Sequence, residues 1–166
     1  MTHLGLCSLA SASSLGVQVI GYDKDKKKIE RIKNNQINIF EPNLKATIKK
    51  NKNSILFTSN FKDILKSDLI YMSEDTPTDK IGRSNTKQLD NYLKKLIKFL
   101  PKETPIIILS QVKPGFTRKY FNKRKEVYYQ VETLIFGNAI ERAKNPDRII
   151  IGINDKVKTK IHNNYI

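Results

Sequence analysis

Asp23 closes the apolar run Val17-Gln18-Val19-Ile20-Gly21-Tyr22, which reads as a β-strand. A carboxylate at a strand end can accept hydrogen bonds from the ribose hydroxyls of a bound dinucleotide. It can equally cap a helix that starts at Lys24. Gly5 comes 18 residues earlier. That offset suits the third glycine of a GxGxxG phosphate turn, and an ordinary turn glycine fits it as well. Glu132 follows Tyr128-Tyr129-Gln130-Val131. An acid there can act as a base on a bound water, or sit at a helix N-terminus where the macrodipole favours it. The segment Ser73-Glu74-Asp75-Thr76-Pro77 also follows an apolar run. It offers hydroxyls and backbone N–H groups to a ligand, or serves as a plain βα loop. His3 and His162 lie near the two ends without an acid or cysteine at metal-ligand spacing, so no metal site is expected. Cys7, within a small-residue stretch of the first helix, reads as a packing residue.

The elements that must position these residues alternate. Strands are expected at 17–23, 55–57, 69–72, 105–109, 127–131 and 148–153. Helices are expected at 24–34, from Pro42 to 50, at 61–66 behind an Asn60 cap, at 86–100, after Gly115 and at 134–143. The run Pro105-Ile106-Ile107-Ile108-Leu109 has the continuous apolar character of a strand buried on both faces. Such alternation argues for a parallel sheet with helices on both faces. Ligands then bind at the carboxyl ends of the strands, where Asp23, Ser73 to Pro77, Ser110, Gln111 and Glu132 stand.

Composition narrows the classes. Hydrophobic residues make up 39% and charged residues 28%, enough for a buried core. No run approaches the roughly 20 apolar residues of a membrane helix, and the first six residues lack the positive region of a signal peptide. A single cysteine allows no internal disulfide and fits a reducing cytoplasm. The net charge of +15 raises a nucleic-acid partner. The lysines, however, are spread along the chain and do not interleave with aromatic residues as stacking platforms require. Compositional drift is the preferred reading, and no nucleic-acid or membrane partner is expected.

Taken in order, these segments resemble the N-terminal domain of the UDP-glucose/GDP-mannose dehydrogenase family. His3-Leu4-Gly5 looks like the end of its glycine-rich turn, and Gly21-Tyr22-Asp23 with Lys28 looks like its ribose-binding strand end. Phe40-Glu41-Pro42-Asn43-Leu44 resembles the Tyr-Glu-Pro-Gly-Leu signature, the most specific single match. Thr76-Pro77 with Gly82, Ser110 to Thr117, and Asn145-Pro146-Asp147-Arg148-Ile149-Ile150-Ile151-Gly152 resemble later family segments.

The resemblance implies a Rossmann-like, doubly wound, mostly parallel α/β sheet lacking its first strand. Residues 1–152 would form the NAD-binding domain, and 153–166 the start of a connection to later domains. It implies NAD as cofactor, and oxidation of a nucleotide-sugar 6-hydroxymethyl to the carboxylate through an aldehyde and a thioester on a cysteine. Gly5, Asp23, Lys28 and Thr76 would meet the cofactor. Glu132 would assist thioester hydrolysis, and Gln111 stands where the family has a water-positioning threonine. Phe136 replaces a second family glutamate, and Asp75 replaces a loop glycine. The nucleophilic cysteine belongs to later domains, and Cys7 does not match it. The full-length family implies a homo-oligomer. A chain cut at both ends is expected to be inactive alone and to bind NAD weakly or not at all, because the strands at Val17 and Leu69 lose a shared neighbour. Two other readings are a basic nucleic-acid-binding module on the same fold and a noncatalytic remnant.

Overall fold

The structure, a computed structural model, describes residues 1–121, 123 and 126–153. The chain divides into two compact units. One is built from Met1–Ile64 with Thr133–Ile149, the other from Leu65–Glu132 with the segment that starts at Ile150.

The first unit opens with α1 (His3–Ser14), whose Thr2 cap accepts the Gly5 N–H at 3.0 Å. Strand β1 (Val19–Tyr22) lies parallel to β2 (Ile55–Thr58), with Gly21 opposite Phe57. Between them come α2 (Lys26–Lys33) and α3 (Leu44–Lys50). Helix α5 (Ala139–Lys144) returns to this unit from the far end of the chain. The core joins Leu6 and Leu9 of α1, Ile29 and Ile32 of α2, Leu44, Phe57 and Ile140. Glycine at 21 is what lets α1 sit on β1. A Cβ there would stand 2.7 Å from Leu9 Cδ1 and 2.8 Å from the Phe57 ring.

The second unit is a four-stranded sheet in the order β3–β4–β5–β6, made of Ile70–Met72, Ile106–Ile108, Val127–Gln130 and Ile151–Gly152. The first three strands are parallel, and β6 runs antiparallel to β5. All three residues of β4 are fully buried, as the unbroken apolar run foretold. Helix α4 (Lys87–Phe99) buries Leu89, Leu93 and Leu96, one face at helical spacing. Its Asp90 accepts a hydrogen bond from the Tyr120 hydroxyl and pairs with Lys94, which fastens the 3-10 turn Thr117–Tyr120 to the helix.

The architecture is the mostly parallel α/β class expected. Among the described residues β1 pairs only with β2, and β3 only with β4, so each has a ladder on one side alone. Four elements differ from the sequence reading, one being the helix expected after Gly115, which is the short 3-10 turn Thr117–Tyr120. Residues 61–66 form a 3-10 helix, with the Asn60 side chain accepting the Lys62 N–H. The last strand contracts to two residues. The helix expected at 134–143 begins only at Ala139, because Gly137 takes a left-handed φ of 85° that breaks a helical run. Residues 154–166, most of the expected connecting segment, lie outside the described residues.

Candidate functional site

The first unit carries a cluster of charge at the carboxyl end of β1. Asp23 continues β1, its N–H donating to the Thr58 carbonyl at 3.2 Å. Its Oδ1 accepts the Asp25 N–H at 3.0 Å, and its Oδ2 pairs with Lys28 Nζ at 3.2 Å and with the amino group of Met1. Burial alone pushes the Asp23 carboxyl up. The Met1 amino group, the Asp25 N–H and Lys28 outweigh it and hold the group below the usual aspartate range. The side chain is 13% exposed and ionised, an acceptor-only group that takes whatever donors reach it. The alternative role for Asp23 is corrected here: α2 is capped by Asp25, whose Oδ1 accepts the Lys28 N–H. That leaves the Asp23 carboxylate aimed at cations rather than at a helix end.

Lys28, in the first turn of α2, is brought onto Asp23, its Nζ 3.2 Å from Oδ2. Gly5 sits in the first turn of α1, where its N–H is taken by the Thr2 hydroxyl. Gly5 is therefore a helical residue and not an ordinary turn glycine, and the start of a helix is where the third glycine of a phosphate turn stands.

The remaining expected residues belong to the second unit. Met72, Ile108 and Tyr129 are level across the parallel strands, so the segments after β3, β4 and β5 leave the same edge of that sheet. Thr76, Gln111 and Glu132 lie on those segments, with Gln111 exposed and the other two half-buried. A polar side chain, an amide and a carboxylate on one strand-end rim can bind a cofactor, hold a water and take its proton.

Sequence reasoning missed the role of Glu41. Its carboxylate is fully buried and accepts the N–H groups of Ala139 at 2.7 Å and Gly137 at 3.1 Å, and it faces His3 Nε2 at 3.0 Å. Burial pushes this carboxyl up, but those donors more than offset it and hold it below the usual glutamate range. The family-like Phe40-Glu41-Pro42 segment thus anchors the start of α5. The signal in the sequence was the place of Glu41 within the family-like Phe40-Glu41-Pro42-Asn43-Leu44 segment; its burial is legible only in the structure. Phe136, at the place of a second family glutamate, stacks on the His3 ring with centroids 4.6 Å apart.

The comparisons agree with this architecture. The model for the UDP-glucose/GDP-mannose dehydrogenase family, NAD binding domain, matches residues 1–165. An uncharacterized protein of Methanocaldococcus jannaschii is 29% identical over 160 residues, covering 92% of this chain and 18% of its own length. A UDP-glucose 6-dehydrogenase of Rickettsia typhi is 28% identical over 163 residues, covering 93% of this chain and 38% of its own length. The solved UDP-N-acetyl-mannosamine dehydrogenase of Staphylococcus aureus superposes with a TM-score of 0.78 at 22% identity, over 91% of this chain and 39% of that one. This last likeness is one of fold. The chain spans well under half the length of the curated relatives it matches.

Proposed function

Because the chain belongs to the UDP-glucose/GDP-mannose dehydrogenase family and carries its NAD-binding domain, we propose that it supplies the cofactor-binding part of an NAD-dependent nucleotide-sugar 6-dehydrogenase. The observation that carries this reading is the Asp23–Lys28 pair at the carboxyl end of a parallel strand. The residues present fit the cofactor: a half-buried, ionised acceptor suits ribose hydroxyls, and a lysine beside it suits a phosphate-rich ligand. NAD, when bound, supplies the hydride acceptor for alcohol oxidation. Asp23 and Lys28 orient the adenosine ribose, and Thr76 is a further cofactor contact in this reading. Gln111 holds a water, and Glu132 takes its proton during hydrolysis of the acylated enzyme. Residues 1–152 act as one NAD-binding domain, and 153–166 lead toward further parts of the enzyme. The whole enzyme takes a nucleotide sugar, assembles as a homo-oligomer and works in the cytoplasm. Among the described residues no helix is long and apolar enough to cross a membrane.

Calorimetric titration of the chain with NAD and with ADP-ribose tests this reading. Weak binding is expected, with a dissociation constant well above the micromolar range. ADP-ribose should compete, and Asp23→Asn should weaken both ligands roughly tenfold, the loss of one charge-assisted hydrogen bond. Equal affinity in Asp23→Asn, or no competition by ADP-ribose, overturns the assignment.

A further inference from the structure

One cluster is made of three side chains to which no cofactor contact has been given. His3 and Cys7 are four residues apart on α1 and so share a helix face. Glu41 meets them there. His3 Nε2 lies 3.0 Å from Glu41 Oε2 and 3.6 Å from Cys7 Sγ, and the three ligand atoms all lie within 4.8 Å of one another. We propose that His3, Cys7 and Glu41 form a binding site for a zinc-like divalent transition-metal ion, with a fourth position open to water or an outside ligand.

Geometry and donor chemistry both carry this. Ligand bonds of about 2.0–2.3 Å at tetrahedral angles set ligand atoms about 3.3–3.6 Å apart. The His3–Glu41 and His3–Cys7 separations are already near that range, and the third pair lies within 4.8 Å. The sulfur and the carboxylate approach the same imidazole nitrogen, which can donate to the carboxylate or accept from the thiol. An ion among the three atoms takes a lone pair from each of them at once.

Thiolate, imidazole and carboxylate together are a borderline-soft set that suits zinc. As the sulfur–metal bond forms, the Cys7 thiol proton leaves to solvent and His3 binds as neutral imidazole. The two anionic ligands then match the charge of a divalent ion. Cys7 and the Glu41 side chain are fully buried, whereas the His3 side chain is 21% exposed and gives the route of entry. The Ala139 and Gly137 N–H groups already hold the Glu41 carboxylate in place, the outer support that ligating carboxylates need. Phe136, stacked on His3, stands over the cluster's exposed member.

The test titrates the metal-stripped 166-residue chain with Co²⁺, then displaces it with Zn²⁺. One equivalent of Co²⁺ is expected to give a thiolate-to-cobalt charge-transfer band that Zn²⁺ abolishes, with proton release and a rise in Tm. Cys7→Ala should lose the band. His3→Gln should lower affinity roughly a hundredfold or more, since even outer-shell losses cost about 10–100-fold. His162→Gln, which alters the other histidine, should bind as the parent does. Circular dichroism confirms that each variant folds. If Cys7→Ala does not, the more exposed His3→Gln decides. No charge-transfer band in the parent chain, or undiminished binding in His3→Gln, overturns the proposal.

Discussion

Glu41 and Ala139 are 98 residues apart in sequence, yet the Ala139 N–H donates to Glu41 Oε1 at 2.7 Å. That bond, with its neighbour from Gly137, ties the loop before α3 to the first turn of α5. Replacing Glu41 with alanine would strand a buried backbone donor and remove a carboxylate from a helix N-terminus. A loss of about 2–3 kcal/mol is expected. Glu41→Gln, which keeps one acceptor but not the charge, should lose about half of that. Urea denaturation of the two variants checks the order.

Gly21 predicts a second stability effect. An alanine there would push against the Leu9 side chain and the Phe57 ring. Both can shift, but only by disturbing the contact of α1 with β1. Gly21→Ala should cost about 1–3 kcal/mol, read as a fall in Tm with circular dichroism unchanged at low temperature. A neutral result would show that α1 does not pack as closely on β1 as described.

The Asp90–Tyr120 bond should make the second unit sensitive to pH at both extremes. Burial, then the Asp90 hydrogen bond and charge, push the Tyr120 hydroxyl well above its ordinary value. A raised folded-state pKa contributes stability that is complete below the unfolded value of about 10 and is lost as pH rises through the folded one. Asp90 runs the other way. Burial pushes its carboxyl up, but Lys94 and Tyr120, with Lys119 nearby, hold it below the usual range. Its contribution is complete above the unfolded value of about 3.9 and is lost as pH falls through the folded one. Tyr120→Phe should cost about 1 kcal/mol at neutral pH and flatten the alkaline limb of a stability–pH curve. An alkaline limb identical to the parent's would contradict this.

The charge of +15 allows weak, nonspecific attraction to nucleic acid at low salt. If drift explains the lysines, duplex DNA and RNA should show no saturable binding at about 0.15 M salt. Saturable binding with a steep salt slope would favour the nucleic-acid reading instead.

What the sequence revealed was local. Three consecutive isoleucines announced a buried strand, and the spacing of Leu89, Leu93 and Leu96 announced the face of α4. Asp23 could be placed at a strand end because the apolar run before it is unambiguous. The choice between ribose acceptor and helix cap stayed open, since Asp25 stands only two residues on and both acids suit a cap; the structure gives the cap to Asp25. The late start of α5 was hidden for a different reason. The stretch from Leu134 to Ala143 reads as one helix, and only the left-handed Gly137 and a carboxylate from the far side of the chain dictate where the helix begins. The meeting of His3 and Cys7 with Glu41 was equally hidden. Two members share a helix face, but the third arrives from 38 residues beyond His3, and no periodicity records that.

The carboxyl end of β1 is proposed to receive the adenosine half of NAD. Amide chemical shifts of the isotope-labelled chain, followed during titration with millimolar NAD, test it most directly. The largest saturable changes are expected at Asp23 to Lys28, reproduced by ADP-ribose and diminished in Asp23→Asn. Shifts centred elsewhere, with residues 23–28 unmoved at saturation, would contradict it.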